Sequence, residues 1–155
     1  MENKVKIQDL SVGDWVCVEE KVGVHNEPHL TPPMKIVAIG EDWVQLRIDP
    51  EQGDPFEYDI SEIRGVEITP EILESIGLIM SGDFTRKGKV IRHYKEWTSV
   101  IEISVWTHKK STQISLEDST TGNWASLRRN NYQAVYVHEF QQMLRLAGVE
   151  KEIGL

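Results

Sequence analysis

Between residues 89 and 128 the connections are short, and that restricts the second half of the chain more than any motif does. Segments 89–97, 100–106, 112–118 and 124–128 carry an extended, strand-like pattern. The joints between them, Glu96-Trp97-Thr98-Ser99, residues 107–111 and residues 119–123, are at most five residues long. A parallel pairing needs a crossover of about a dozen residues or more, so these segments are predicted to form an antiparallel meander. Ile101, Ile103 and Val105 share one parity, as do Ile114 and Leu116 on the next segment, which predicts one apolar face. The cover for that face is predicted at the end of the chain. Tyr132, Ala134 and Tyr136 keep strand parity, after which Val137, Phe140, Met143 or Leu144, and Ala147 fall at helical spacing, with Gly148 at a C-cap position.

The first half reads as short strands separated by turn chemistry. Gly13-Asp14 turns the chain into an extended run from Trp15 to Val18. A polar loop is expected over residues 19–33, because Pro28, Pro32 and Pro33 preclude helix and interior strand. Met34 to Gly40 and Trp43 to Ile48 form a hairpin about Glu41-Asp42, with Val44, Leu46 and Ile48 on one face. Phe56, Tyr58 and Ile60 then alternate with Glu57 and Asp59. Ser61 to Arg64 is expected to make a helical turn, and Val66 to Thr69 a last short strand. Thr69-Pro70-Glu71 opens a two-turn helix that Gly77 closes: a hydroxyl cap, a proline at the first position and a carboxylate near the positive dipole end.

At 155 residues the chain is long enough to bury about 68–70% of its unfolded surface without disulfides. Its one cysteine, Cys17, has no internal partner, and no apolar run reaches the roughly 18 residues of a membrane helix. A cytoplasmic protein without a membrane partner is expected. The net charge of −8 is uneven. Residues 1–77 hold 17 acidic and 6 basic side chains, and residues 78–155 hold 8 and 11. The excess of acid predicts solubility of the first part; the mildly basic second part leaves nucleic acid open as a partner.

Two resemblances rest on these residues. Leu10-Ser11-Val12-Gly13-Asp14-Trp15-Val16, followed by a strand, a Gly-Glu-Asp turn and a strand, resembles the opening of SH3-like small barrels. The order of parts is similar to an uncharacterised family of small proteins from gut bacterial genomes and their mobile elements. That second likeness rests on the same opening, on the Thr69 to Gly77 helix, and on Tyr136-Val137-His138-Glu139-Phe140-Gln141-Gln142-Met143-Leu144, where the family tends to show Tyr-Val-His-x-Leu-Gln-Asn-Leu. Phe140, Met143 and Gln142 depart from that pattern. The resemblance implies architecture and assigns no activity or site.

Candidate chemistry is sparse. His25 and His29, with Cys17 and Glu27, are zinc-ligand types, yet Pro28 removes the helix that would place two histidines on one face. Asp49, Glu51, Asp54, Glu57, Asp59 and Glu62 do not match the offsets of a calcium loop, and a solvated strand face explains them. His138, beside Glu139 at a helix start, reads as a cap or packing residue. No Gly-x-Ser-x-Gly, phosphate-cradling glycine loop or Cys-x-x-Cys accompanies them, so no catalysis, cofactor or metal is expected. A surface hypothesis remains for the second part: Arg92, Tyr94, Trp106, Arg128 and Arg129 combine cations with rings, which suits a phosphate backbone and its bases.

The expectation is therefore an α+β, β-rich chain. Residues 1–68 form an SH3-like small β-barrel, residues 69–77 a linking helix, and residues 78–155 an antiparallel meander packed by a C-terminal helix. A non-catalytic protein-interaction module is expected first, and a nucleic-acid-binding accessory protein second.

Overall fold

A buried carboxylate organises the entry to the first strand. Asp14 is fully buried, and its Oδ2 accepts the Ser11 N–H at 2.8 Å while its own N–H donates to the Ser11 carbonyl at 3.1 Å. Gly13 takes φ +93° inside this turn, a region that costs a residue with a Cβ. The turn is clipped to a later strand by Gly13 N–H to Ile36 O (2.8 Å) and Ile36 N–H to Asp14 O (2.9 Å). The computed structural model describes residues 5–49, 52–86, 89–95, 101–108, 111–118, 124–128, 135–146 and 153–155; for the strands between 81 and 128 it describes the backbone and its pairing. The described chain forms two compact units, Met1–Val66 with Leu155, and Glu67–Gly154.

In the first unit the strands are β1 (Trp15–Val22), β2 (Glu27–Leu30), β3 (Met34–Ile39), β4 (Trp43–Arg47), β5 (Phe56–Asp59) and β6 (Ile63–Gly65). All pairings are antiparallel, in the order β2-β1-β3-β4-β5, and β6 also pairs with β1. Val16 is opposite both Met34 and Gly65, so β3 and β6 flank β1 on opposite sides. From β6 across β1, β3 and β4 to β5 is four strand spacings, about 19 Å in a flat sheet. Only residues 60–62 join β5 to β6, and a tight helical turn of that length covers well under that distance. The sheet must therefore curl, and it does, into a half-barrel. Leu10, Val16, Val18, Met34, Ile36, Val44, Leu46 and Ile63 fill its inside, flanked by Val5, Ile39, Tyr58 and Ile60.

Three local expectations change. β1 runs on to Val22 and pairs with β2, where the sequence predicted a loop over residues 19–33. Pro28 fits because β2 is an outer strand, where a missing N–H need not break a ladder. The last strand is Ile63–Gly65 and not residues 66–69, because Asp59 caps the helical turn early: its Oδ1 accepts Ser61 N–H (2.8 Å), and Glu62 Oε2 accepts Asp59 N–H (3.0 Å). Ile48, predicted to share the face of Val44 and Leu46, lies exposed just past the end of β4.

The second unit opens with α1 (Pro70–Ser75), where Thr69 Oγ1 accepts Ile72 N–H at 3.4 Å. It closes as the sequence predicts: Gly77 has φ +88°, its N–H donates to Glu74 O (2.9 Å), and Leu78 N–H reaches back to Leu73 O (3.1 Å). That pair of bonds satisfies carbonyls the helix leaves unpaired, and buried Leu73 and Leu78 accompany it. The meander follows as β7 (Ile79–Arg86), β8 (Lys89–Lys95), β9 (Ile101–His108), β10 (Ser111–Asp118) and β11 (Trp124–Arg128), each antiparallel to the next. α2 (Val137–Leu146) buries Val137, Phe140, Gln141 and Leu144, one face at helical spacing, together with His138. The segments leading into the two helices lie side by side, through a Glu67–Tyr136 bridge and Ile68 N–H to Val135 O at 3.1 Å. Residues 132–134, Ala147 and Gly148 lie outside the described residues.

Candidate functional site

Residues 20–30 of the first unit are all exposed, and yet most of them are paired strand. The ribbon has a simple local origin. Val18-Glu19-Glu20-Lys21-Val22 and Glu27-Pro28-His29-Leu30 flank a four-residue turn, in which Gly23 takes φ +81° and Asn26 φ +51°. Both residue types accept a left-handed backbone more readily than most. Asn26 N–H closes the turn on Gly23 O at 3.2 Å. At its tip Val24 is 96% exposed, and Val22 and Leu30 are also exposed.

A two-stranded ribbon is marginal alone in water, so its base must be held. Thr31 holds it twice: its N–H donates to Val18 O (2.9 Å) and its Oγ1 accepts Val18 N–H (3.0 Å). Glu19 is fixed by buried Arg64, whose Nε donates to Glu19 Oε2 at 3.0 Å. The same guanidinium donates to the carbonyls of Ser61 (2.6 Å) and Ile63 (2.9 Å), tying ribbon, helical turn and β6 together. Beside this base stands Tyr58 on β5. Burial first, then the Glu20 and Glu62 carboxylates, push its hydroxyl above the ordinary tyrosine value. The ribbon thus offers aliphatic side chains over an acidic, tyrosine-bearing base.

The residues singled out from sequence are placed as follows. Cys17 is buried in β1 opposite Arg64, with its thiol pushed up by burial, while His25 and His29 are on the exposed ribbon. Among the described residues, no group of three or more His, Cys, Asp or Glu is arranged to hold a metal. Asp59 and Glu62 form the cap already described, and hydrogen bonds from Ser61 hold the Asp59 carboxyl below its usual value. His138 is buried, with its ring stacked on Tyr136 at 5.7 Å between centroids, and Glu139 Oε2 accepts the Tyr136 N–H at 3.0 Å. Glu139 therefore works as a helix cap, and His138 as part of a packed start to α2.

The register divides the proposed surface of the second unit. Trp106 is opposite His93 on one side and Gln113 on the other, and Gln113 is opposite Arg128. Tyr94 belongs to the adjacent row with Val105, Ile114 and Leu127, and Arg92 to the row of Thr107 and Thr112. Successive positions along a strand alternate between faces. Trp106 and Arg128 are therefore brought together, and Arg92 and Tyr94 occupy the other face. Arg129 lies outside the described residues.

The exposed aliphatics of the ribbon were missed in the sequence. The signal was the pair of turn residues Gly23 and Asn26 between two short segments that carry Val22 and Leu30, which the prolines obscured. Comparison of the chain with protein-family models, characterised proteins and solved structures gives no match. Among the described residues, no helix is long and apolar enough to cross a membrane.

Proposed function

We propose that the chain is a cytoplasmic, non-catalytic protein-interaction module whose first unit is an SH3-like small barrel and whose ribbon carries the contact. The strand order supports the barrel reading: a long first strand, a hairpin, then a short helical turn that returns a last strand to the first. The reading extends to the second unit, with α2 laid across the apolar rows of the meander. The resemblance of the opening and closing segments to small proteins of gut bacterial genomes and mobile elements fits a module of that origin.

The observation that carries the proposal is the ribbon itself. All eleven residues 20–30 are exposed, although 20–22 and 27–30 are paired strand anchored at the base. Exposed aliphatics on a rigid projection gain by being covered, at about 25 cal/mol per Å² of apolar surface removed from water. The partner surface is apolar with a basic margin, complementary to Glu20 and Glu27.

A Val22→Ser/Val24→Ser/Leu30→Ser variant tests it. These positions are exposed, so thermal stability should change little, while a stoichiometric partner recovered with the wild-type chain should be lost. Full retention of that partner by the folded triple variant would refute the ribbon as the contact.

A further inference from the structure

We propose that the second unit binds single-stranded nucleic acid across one face of its meander, on the row His93–Trp106–Gln113–Arg128. This goes beyond the reading of the first unit and is independent of it.

The argument starts from register. Pairings across β8, β9, β10 and β11 set these four residues side by side, about 14 Å from end to end at ordinary strand spacing. Two residues along each strand is the next row of the same parity, Lys95–Ser104–Ser115–Ser126. The rows between and beyond them, Tyr94–Val105–Ile114–Leu127 and Ile103–Leu116–Ala125, are apolar and belong to the opposite face. Over these central rows the sheet is thus amphipathic: one face is apolar, and the other combines an indole, an imidazole, amide and hydroxyl groups, and cations. Towards the Lys89 end Ile91 and Phe84 join the second face, and Arg92, Thr107 and Thr112 the first.

Charge decides the ligand class. Lys89 has the same parity on β8 as His93 and Lys95, and Arg86 is opposite Lys89, so Arg86, Lys89 and Lys95 flank the row from two sides while Arg128 ends it. The acids of this face, Glu102 and Glu117, share a single row beyond Lys95, opposite one another and Trp124. The face is therefore basic from the Arg86–Lys89 end through the Lys95 row and acidic at the other end. Cations spaced around a ring suit a phosphate backbone whose unpaired bases stack, with Gln113 able to donate to and accept from base edges. An uncharged sugar chain would use the ring but gain nothing from the cations. Arg92 and Tyr94 take no part, because their rows lie on the apolar face.

The test is fluorescence anisotropy of the full chain with a fluorescein-labelled oligothymidylate of about 20 nucleotides, titrated from about 50 to 300 mM NaCl. Affinity should fall with salt, and Arg128→Ala should reduce the log–log slope by about 0.7. Trp106→Ala should weaken binding roughly 5- to 150-fold, as expected for a lost stacking platform, and Trp106→Phe should retain binding. Arg92→Ala should leave affinity and slope unchanged. If Trp106→Ala loses its far-ultraviolet circular dichroism, the Arg128→Ala and Arg92→Ala pair decides. Absence of binding at low salt, equal losses in Arg92→Ala and Arg128→Ala, or binding of maltohexaose without the oligonucleotide would each overturn the proposal.

Discussion

Arg64 shows how one side chain can fix the shape of a unit. Arg64 is 6% exposed, and its guanidinium reaches Glu19 on β1 and the carbonyls of Ser61 and Ile63. Removing one partner of a buried pair leaves a charge without compensation, which costs about 3–5 kcal/mol when both are buried. Glu19 is about one-third exposed, so solvent screens part of the loss, and Glu19→Gln is expected to cost about 1–2 kcal/mol. Urea unfolding followed by circular dichroism measures it; an unchanged midpoint would show that the contact contributes nothing net. Gly40 is a second such point. A Cβ there would overlap the Trp43 indole, whose backbone carbonyl already accepts the Gly40 N–H at 2.9 Å. Gly40→Ala must displace a half-buried ring and should cost about 1–3 kcal/mol, with a shift in tryptophan emission.

At the scale of elements, the caps decide where strands begin and end. The Asp59 cap starts the helical turn that delivers β6 to β1. Its folded carboxyl titrates below the ordinary value, so its stabilising contribution is complete above that value and disappears as pH falls through the lowered one. Asp59→Ala should therefore be less stable than wild type at neutral pH, with the difference closing below about pH 4. A gap that persisted in acid would mean that the carboxylate is not the cause. For α2, Phe140→Asp puts a charge at a fully buried position and should abolish cooperative unfolding of the second unit by circular dichroism. α1 and its Gly77 stop were legible because caps are local chemistry, as was the β3–β4 hairpin. β2 was not, since proline breaks an interior strand whereas an outer strand tolerates it. The face of Arg92 and Tyr94 was not legible either. Parity within one strand is local, but relative parity between strands depends on register, and one residue of slip exchanges the faces.

For the whole molecule, two compact units imply two sets of protection against exchange. Leu46 is fully buried in the first unit, and Leu46→Ala should cost about 2–5 kcal/mol there. Hydrogen exchange read by mass spectrometry should show the lost protection in β1 and β3 to β5, with β8 to β10 little changed. Equal loss in both regions would show a single cooperative core. The turn at residues 23–26 has a further consequence at this scale. It lies at the far end of a ribbon whose base is fastened by Thr31 and Arg64, and its tip residue Val24 is almost wholly in solvent. Cleavage or insertion there leaves the fastenings intact, so the tip is the place to open a circular permutant or to splice in a reporter.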